Sequence, residues 1–291
     1  MCGIVGLFLK DRALVPKLGE MLAQMLEVMT DRGPDSAGFA VYGAGDPGRV
    51  KLTVRGEALD GLAGMLGDDV TAVRHDSHLV LSVPAVREAE VRAAIASARP
   101  DLVITGAGQR IELYKEVGLP ADVATRFGLQ GMSGTHGIGH TRMATESAVT
   151  TDGAHPFSTG PDQCLVHNGS LSNHKSLKRV LTREGIHIAT DNDSECAAGY
   201  LSWKMREGAT LAQALEQSLE DLDGFFTFVV GTESGFAVLR DPISCKPAVM
   251  AETDQYVAFG SEYRALAALP GIAHARVFEP EPARVYAWER N

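Results

Sequence analysis

Apolar, strand-like segments lie near both ends of this chain, and amphipathic helical segments separate them. The apolar run "GIVGLFL" over 3–9 is followed by Leu and Met residues at helical spacing over 14–29. Two or three helices are predicted over 173–220, and the last third alternates short apolar strands with turns around a short helix at 262–268. This order predicts sheets covered by helices rather than a plain β-barrel.

The middle of the chain has a different pattern of predicted helices and strands from its two ends. Residues from about 57 to 133 are predicted to form an inserted β-α-β subdomain with its own small core. Just before it, the apolar segments 39–43 and 49–57 are predicted to pair as a hairpin. The intervening "GAGDPG" over 43–48 matches G-x-G-x-x-G, but a strand follows it, so it predicts a hairpin turn rather than a dinucleotide site.

Composition excludes several classes of partner. Lys and Arg number 27 against 37 for Asp and Glu, and a net charge of −10 disfavours a surface that binds nucleic acid. The apolar runs are shorter than the roughly 20 residues that a membrane-spanning helix needs, and we expect no signal peptide. The four cysteines form no CxxC pair, so we expect a cytoplasmic protein without a disulfide framework.

Cys2 directly follows the initiator methionine and has two interpretations. A free cysteine is commonly a small buried apolar residue, here at the start of the first strand. If Met1 is removed, however, Cys2 carries both a thiol and a free α-amine. An α-amine titrates close to neutral pH and can accept the thiol proton, so base and nucleophile would belong to one residue.

Three polar segments could complement such a nucleophile. Asn168 and Gly169 offer a side-chain amide and a backbone N–H for an oxyanion, although Asn-Gly is also a common turn dipeptide. Arg142 lies in an apolar strand, where it needs an internal acid or a substrate carboxylate. The acidic residues within 190–195 precede a helix, where they could cap it or bind a substrate ammonium.

The histidines do not indicate a metal site. His140, His155 and His167 lie in the polar middle of the chain, but no two of them have the i, i+4 spacing of a helical metal motif. We therefore expect no bound metal.

The order of the short motifs is more informative than any motif alone. Taken together, they resemble the class II glutamine amidotransferase family, and "DGFFTFVV", "RDPISCKPAV" and "GSEYRAL" resemble its closing strands. The motifs are Cys2-Gly3-Ile4-Val5-Gly6, Arg32-Gly33-Pro34-Asp35, Gly139-His140-Thr141-Arg142, His155-Pro156-Phe157, His167-Asn168-Gly169 and Asp193-Ser194-Glu195. The resemblance spans nearly the whole chain except the insertion.

The resemblance implies an α+β fold, the four-layer αββα sandwich of the N-terminal-nucleophile hydrolases. It implies one amidotransferase domain over 2–291, interrupted by the insertion at about 57–133. By the same resemblance, Cys2 would attack the glutamine side-chain carbonyl with the help of its own amine. Asn168 and Gly169 would form the oxyanion hole, and Arg32 would position the nucleophile rather than react.

The resemblance also implies the residues that bind the substrate. Arg142 would hold the α-carboxylate of glutamine with Thr145 nearby, and Asp193 would receive the α-ammonium. His155 belongs to the same substrate-binding group. An amino-acid substrate thereby supplies the counter-charges that Arg142 and Asp193 need.

Three features depart from the family pattern or leave it open. Met143 and Glu146 occupy positions where related proteins often carry an aromatic and a non-acidic residue, and Glu146 adds negative charge near the carboxylate pocket. Retention of Met1 would acylate the Cys2 amine and remove its base. A non-catalytic assembly subunit with the same fold, or a hydrolase acting on another amide, therefore remain alternatives.

Amidotransferases of this family usually supply ammonia to a synthase, which here is expected on a partner subunit. Among separate amidotransferase chains, this one resembles those of glutamate-synthase-type systems, including the amidotransferase-like chain of N-methylglutamate synthase. Glutamine or glutamate would be the substrate. No cofactor is expected in this chain, because its cysteine spacing suits no iron–sulfur cluster; flavin and iron–sulfur clusters would belong to partner subunits.

Overall fold

Two antiparallel sheets lie face to face in the computed structural model, which describes residues 2–144 and 148–290. The strands are β1 (Gly3–Leu9), β2 (Ser36–Tyr42), β3 (Arg49–Arg55), β4 (Thr71–His75), β5 (His78–Pro84), β6 (Val103–Gly108), β7 (Ile111–Val117), β8 (His136–Arg142), β9 (Phe157–Gly160), β10 (Gln163–Leu171), β11 (Gly224–Gly231), β12 (Gly235–Arg240), β13 (Val249–Glu252), β14 (Tyr256–Gly260), β15 (Arg276–Phe278) and β16 (Tyr286–Glu289). The helices are α1 (Leu18–Val28), α2 (Leu62–Leu66), α3 (Glu88–Ala98), α4 (Pro120–Arg126), α5 (His174–Arg183), α6 (Asp193–Arg206) and α7 (Leu211–Asp221).

Four layers form the main body of the molecule. The first sheet has the order β15-β13-β14-β1-β8-β2-β7, and α1 and α4 cover its outer face. The second sheet has the order β16-β12-β11-β10-β9, and α6 and α7 cover its outer face, with α5 packed on α6. Apolar side chains of both sheets, including Ile4, Val166 and Phe236, form the layer between them. The predicted αββα sandwich is confirmed.

The central position of β1 explains its sequence. All seven of its residues are buried, because a helix layer covers one face of the sheet and the second sheet covers the other. A strand buried on both faces is apolar throughout rather than alternating. Its pairing with β8 sets Gly3 opposite Thr141 and Ile4 opposite His140, so Cys2 lies beside the end of β8.

The predicted pairing of segments 39–43 and 49–57 is wrong. Strand β2 pairs with β7 and β8, whereas β3 pairs with β5 and β6 in a third sheet of order β4-β5-β3-β6. The "GAGDPG" turn signals a change of direction but does not specify the partner of the strand that follows it.

The third sheet extends from Arg49 to Gly108 and encloses its own apolar cluster with α2 and α3. The expected insertion began at about 57 and ended at 133, so these boundaries differ at both ends. Strand β7 returns to the first sheet beside β2, and α4 packs against both strands. The apolar patterns of β3 and β7 suit either sheet, which is why the sequence pattern does not locate the boundary. The unit is a four-stranded antiparallel sheet with two helices, which is larger than a β-α-β unit.

Asp162 joins the third sheet to the main body. Its carboxylate accepts hydrogen bonds from the backbone N–H groups of Gln109 (2.6 Å), Arg110 (2.8 Å) and Ile111 (2.9 Å) in the turn between β6 and β7. The side chain is buried, so three donors offset much of the cost of removing its charge from water. The turn after the third sheet is thereby fixed against the β9–β10 connection.

Within the described ranges, no helix is long and apolar enough to cross a membrane. The predictions of the elements near both ends are confirmed in their main features. A short 3-10 turn at Arg12–Lys17 precedes α1, three helices occupy the region over 173–220, and β11 to β16 alternate with turns. The helix expected at 262–268 is only a 3-10 turn at Tyr263–Ala265.

Candidate active site

A cavity of about 700 Å³ lies where the ends of β1, β8 and β10 meet the start of α6. It brings together residues that lie far apart in the sequence. All the predicted site residues that the structure describes line it, namely Cys2, Arg32, Arg142, His155, Asn168, Gly169 and Asp193. Thr145, a predicted substrate-binding residue, lies outside the described residues, as do Glu146 and Met1.

Cys2 lies directly before β1 and is half-buried. Its Sγ accepts a hydrogen bond from the backbone N–H of Met143 (3.4 Å) and lies 3.7 Å from the Met143 carbonyl oxygen. Its own carbonyl oxygen accepts from Arg32 Nε (3.0 Å) and Asn168 Nδ2 (3.1 Å). Two donors from different elements thus fix the backbone of Cys2 while its thiol faces the cavity.

Arg32 is held in place by an acid far along the chain. Its Nη1 lies 2.5 Å from Glu262 Oε1, and only 9% of its side chain is exposed. The neighbouring glycine, Gly33, packs against the backbone of Thr141 and Arg142, where a Cβ would come within 2.6 Å of three backbone atoms. The loop after α1 therefore presses against the end of β8, and Arg32 contacts Cys2 from this loop.

Asn168 and Gly169 lie near the end of β10, in the second sheet. The Asn168 amide nitrogen faces the Cys2 carbonyl oxygen and lies 3.4 Å from Ser261 Oγ. Gly169 has a φ of +153°, and a Cβ at this position would lie 2.0 Å from the carbonyl oxygen of Phe225. Only glycine fits this backbone, which brings the Asn168–Gly169 peptide to the cavity wall.

Arg142 ends β8 and is 7% exposed. Its Nη1 lies 3.4 Å from the carbonyl oxygen of Ala148. A Cβ on Gly153 would lie at the same distance from this nitrogen, so the guanidinium packs closely against the loop that follows. The side chain lines the cavity as a cation, as a carboxylate-binding role requires.

Asp193 is the first residue of α6, and Asn192 caps this helix by accepting a hydrogen bond from the Ser194 N–H (2.9 Å). The Asp193 carboxylate accepts from the Leu171 N–H (2.8 Å) and the Ser194 hydroxyl (3.2 Å). Glu195 has a different role: it accepts from the backbone N–H groups of Ala189 and Thr190, and so supports the loop before the helix. Asp193 is therefore an anion of the cavity wall, whereas Asn192 is the helix cap.

Three buried histidines surround the Asn168 side of the cavity. The rings of His140 and His155 stack at 4.0 Å, and His167 Nδ1 lies 2.9 Å from the Ser194 hydroxyl. Burial lowers the pKa of His140 to about 3 and the pKa of His155 well below its ordinary value. Burial also lowers the pKa of His167, although nearby Asp193 opposes that shift. His140 and His155 are thus neutral near pH 7.

The four cysteines differ in their surroundings, and all are unpaired. Burial raises the pKa of both Cys164 and Cys196 to about 12, so these thiols stay protonated. Cys245 is exposed, whereas Cys2 faces the cavity. Within the described part of the chain, no group of three or more His, Cys, Asp or Glu residues could hold a metal ion.

Several residues of the site were missed in the sequence. Glu262 and Ser261 lie in "GSEYRAL", which was assigned only to the closing strands, and they contact Arg32 and Asn168. Lys246 in "RDPISCKPAV" also lines the cavity. Residues separated by 93 and 230 positions carry no local signal of their contact, so only the fold could bring them together.

Comparison with known proteins identifies the family of this chain. The pattern of the glutamine amidotransferase domain matches residues 140–268. The chain is 60% identical to the glutamine amidotransferase-like protein GlxB of Rhizobium meliloti (strain 1021), and the alignment covers 100% of this chain and 99% of that protein. The chain belongs to the class II glutamine amidotransferase family.

Partial matches and solved structures extend the comparison. This chain is 29% identical to the amidophosphoribosyltransferase of Methanocaldococcus jannaschii over an alignment that covers 57% of this chain and 36% of that protein. Its fold matches the glutamine phosphoribosylpyrophosphate amidotransferase of B. subtilis with a TM-score of 0.64 and 19% identity. The match covers 99% of this chain but 47% of that structure, so this chain spans about half the length of that protein. At this identity the likeness shows the fold alone.

Gly169→Ala is expected to destabilise the protein by about 3 kcal/mol or more. Both an unfavourable φ and a clash with the Phe225 carbonyl oxygen would have to be relieved. Gly185→Ala is the matched control, because Gly185 also has a positive φ (+76°) but nothing within 4 Å of an added Cβ. For the control, urea denaturation should show a loss of about 1–2 kcal/mol in the free energy of unfolding. Equal losses in the two variants would contradict the packing argument.

Glu262→Gln tests the anchor of Arg32 through pH. A hydrogen bond from Arg32 holds the pKa of Glu262 below its ordinary value of 4.5. The stabilisation is therefore complete above pH 4.5 and is lost as pH falls through the lower, folded-state pKa. The difference in free energy of unfolding between wild type and Glu262→Gln should be constant from pH 6 to 8 and shrink below about pH 4.5.

Glu279→Gln serves as the comparison for this pH series, since the Glu279 side chain is 80% exposed and lies 3.8 Å from Arg240. Exposed ion pairs contribute little to the free energy of unfolding. This variant should therefore have the same free energy of unfolding as the wild type at every pH. A Glu262→Gln difference that grows toward acid would overturn the proposed anchor.

Proposed function

We propose that this chain hydrolyses the side-chain amide of glutamine through a thioester at Cys2 and supplies the ammonia to a synthase on a partner subunit. One observation carries the proposal: the cavity that Cys2 faces is also lined by a cation, an anion and an amide donor. Arg142, Asp193 and Asn168 supply these groups. An α-amino acid with a side-chain carbonyl matches all of them.

The reaction follows from the groups that face the cavity. The α-amine of Cys2, freed by removal of Met1, accepts the thiol proton, and Sγ attacks the δ-carbon of glutamine. The oxyanion that forms is stabilised by the Asn168 amide and the Gly169 N–H. Collapse of the tetrahedral intermediate breaks the C–N bond. The departing nitrogen takes the proton that the α-amine of Cys2 had accepted, and leaves as ammonia. Water then hydrolyses the thioester to glutamate and restores the thiol.

Charge placement supports an α-amino acid over a simple amide. Arg142 and Asp193 lie on different elements, β8 and α6, and both line the cavity. A ligand with one carboxylate and one ammonium can pair with both charges, whereas a neutral acyl amide offers a charge to neither. A competition assay with glutamine, asparagine and simple acyl amides should therefore show a strong preference for glutamine.

The partner is proposed from the family resemblance to amidotransferase subunits of glutamate-synthase-type systems. A synthase similar to glutamate synthase or to N-methylglutamate synthase would consume the ammonia. Flavin and iron–sulfur chemistry would then belong to that partner. Purification of this chain with its bound subunits, followed by absorption spectroscopy and mass spectrometry, tests this assignment.

Cys2→Ala should abolish glutamine hydrolysis in the purified complex, because no other described thiol lines the cavity. Cys245→Ala is the control, since this thiol is exposed and not among the cavity residues. Glutamate release from glutamine is the measurement. Near wild-type rates in Cys2→Ala would refute the thioester. An inactive wild-type complex would instead favour the non-catalytic assembly subunit.

Asn168→Ala should lower kcat by roughly 10²–10³ with a smaller change in KM, as expected for loss of one oxyanion donor. Asn173→Ala removes an amide that donates to the Asp221 carbonyl oxygen outside the cavity, and should leave kcat within about twofold. Steady-state kinetics on folded variants makes the comparison. A rise in KM alone would assign Asn168 to substrate binding instead.

A further inference from the structure

His140 lies on β8 behind the wall of the cavity and has no exposed surface. Its Nε2 lies 3.2 Å from Asn168 Oδ1. The ring stacks on His155 at 4.0 Å. The imidazole is therefore held by the stacked ring and points at the side-chain oxygen of Asn168.

The contacts of Asn168 determine which way its amide points. The Nδ2 atom donates to the Cys2 carbonyl oxygen (3.1 Å) and lies 3.4 Å from Ser261 Oγ. A carbonyl oxygen only accepts, so the atom that faces Cys2 must be the nitrogen. The oxygen therefore faces His140.

The same reasoning fixes the tautomer of His140. Asn168 Oδ1 only accepts hydrogen bonds, so Nε2 of His140 must carry the hydrogen. The Nδ1 atom is buried and has no hydrogen-bond partner among the described residues. Because burial lowers the pKa of this imidazole to about 3, it stays neutral across the range in which an enzyme normally works. The donor to Asn168 is therefore constant with pH.

We propose that His140 is a positioning residue for the thioester reaction: its Nε2–H holds the Asn168 amide with its nitrogen, rather than its oxygen, on the Cys2 side, where the oxyanion forms. This inference rests on the proposed function of Cys2. It assigns His140 no contact with substrate, because His140 is not among the residues that line the cavity. His140 acts through Asn168 alone.

The energetic reason is the symmetry of the amide. The terminal torsion of Asn is broad and nearly two-fold, so a flipped amide costs little by itself. A flip would turn Oδ1 toward the forming oxyanion and replace attraction by repulsion. It would also bring an N–H donor against the His140 N–H. The Cys2 carbonyl oxygen and the Nε2–H of His140 together make the productive orientation the stable one.

Three variants separate orientation from stability. His140→Met removes the donor and keeps an apolar side chain in the buried position, and His140→Gln restores an N–H near the place of Nε2. His136→Met is the matched control on the same strand. His136 is also fully buried, stacks on Tyr42 at 4.1 Å and places Nε2 2.8 Å from the carbonyl oxygen of Thr232, but it does not line the cavity.

The variants are compared as complexes purified with their partner, after thermal melts show that each is folded. His140→Met should lower kcat for glutamine by about ten- to hundredfold and leave KM within about twofold, because the lost contact acts in the transition state. His140→Gln should recover most of kcat. His136→Met should keep kcat within about twofold even where its melting temperature falls.

A second readout uses an aldehyde analogue of glutamine, which forms a tetrahedral adduct with the thiol. Its inhibition constant should rise in His140→Met by the same factor as kcat falls, while the affinity for the product glutamate stays unchanged. This pattern reports the oxyanion rather than general damage to the pocket.

Two results would overturn the inference. One is an equal loss of kcat in His140→Met and His136→Met. The other is a loss of affinity for the aldehyde and for glutamate by the same factor in His140→Met. Failure of His140→Gln to exceed His140→Met also contradicts it. A wild-type complex that does not hydrolyse glutamine would instead defeat the proposed function, and this inference with it. If the wild-type complex is active and the His140 variants keep its kcat, only this inference is contradicted.

Discussion

The carbonyl oxygen of Cys2 forms a polar contact between the two sheets of the sandwich, at the edge of their apolar layer. It accepts one hydrogen bond from Arg32, in the loop after α1, and another from Asn168, at the end of β10 in the opposite sheet. Neither donor is close to Cys2 in sequence. The position of the thiol therefore depends on the closed sandwich, and an unfolded or half-assembled chain would have no site.

The polar groups around Cys2 differ in charge according to how deeply they are buried. Cations and anions that could bind an amino acid lie on the cavity wall. His155 on the same wall and His140 behind it are buried, and burial keeps them neutral. A neutral histidine can hold an amide without adding a charge that would attract a thiolate or a carboxylate. The charges on the cavity wall include those of Arg142, Asp193 and Arg32, and Glu262 pairs with Arg32.

Much of the fold could be predicted, because the local pattern of apolar and polar residues indicates most of its helices and strands. The continuous apolar run of β1, the helical spacing of α1 and the alternation of β11 to β16 each reflect the layers that cover them. Strand partners were less predictable: β3 follows a turn-forming sequence yet pairs with β5 and β6. The choice between sheets depends on contacts that the local sequence does not encode.

The site shows the same division. Cys2, Arg142, Asn168 and Asp193 could be identified from the order of motifs, and the cavity brings them together. Glu262 and the orientation of the Asn168 amide could not be identified in that way. Each depends on a partner that only the folded chain brings into contact, such as Arg32 or His140.

The N-terminal peptide of the assembled enzyme offers the most direct test of a reaction in which Cys2 is both base and nucleophile. The complex is acid-quenched during turnover of glutamine, digested and measured by mass spectrometry. The account predicts a peptide that begins at Cys2, with a fraction carrying a γ-glutamyl group on the thiol. A peptide that still carries Met1, from a complex that turns over glutamine at the full rate, would contradict it.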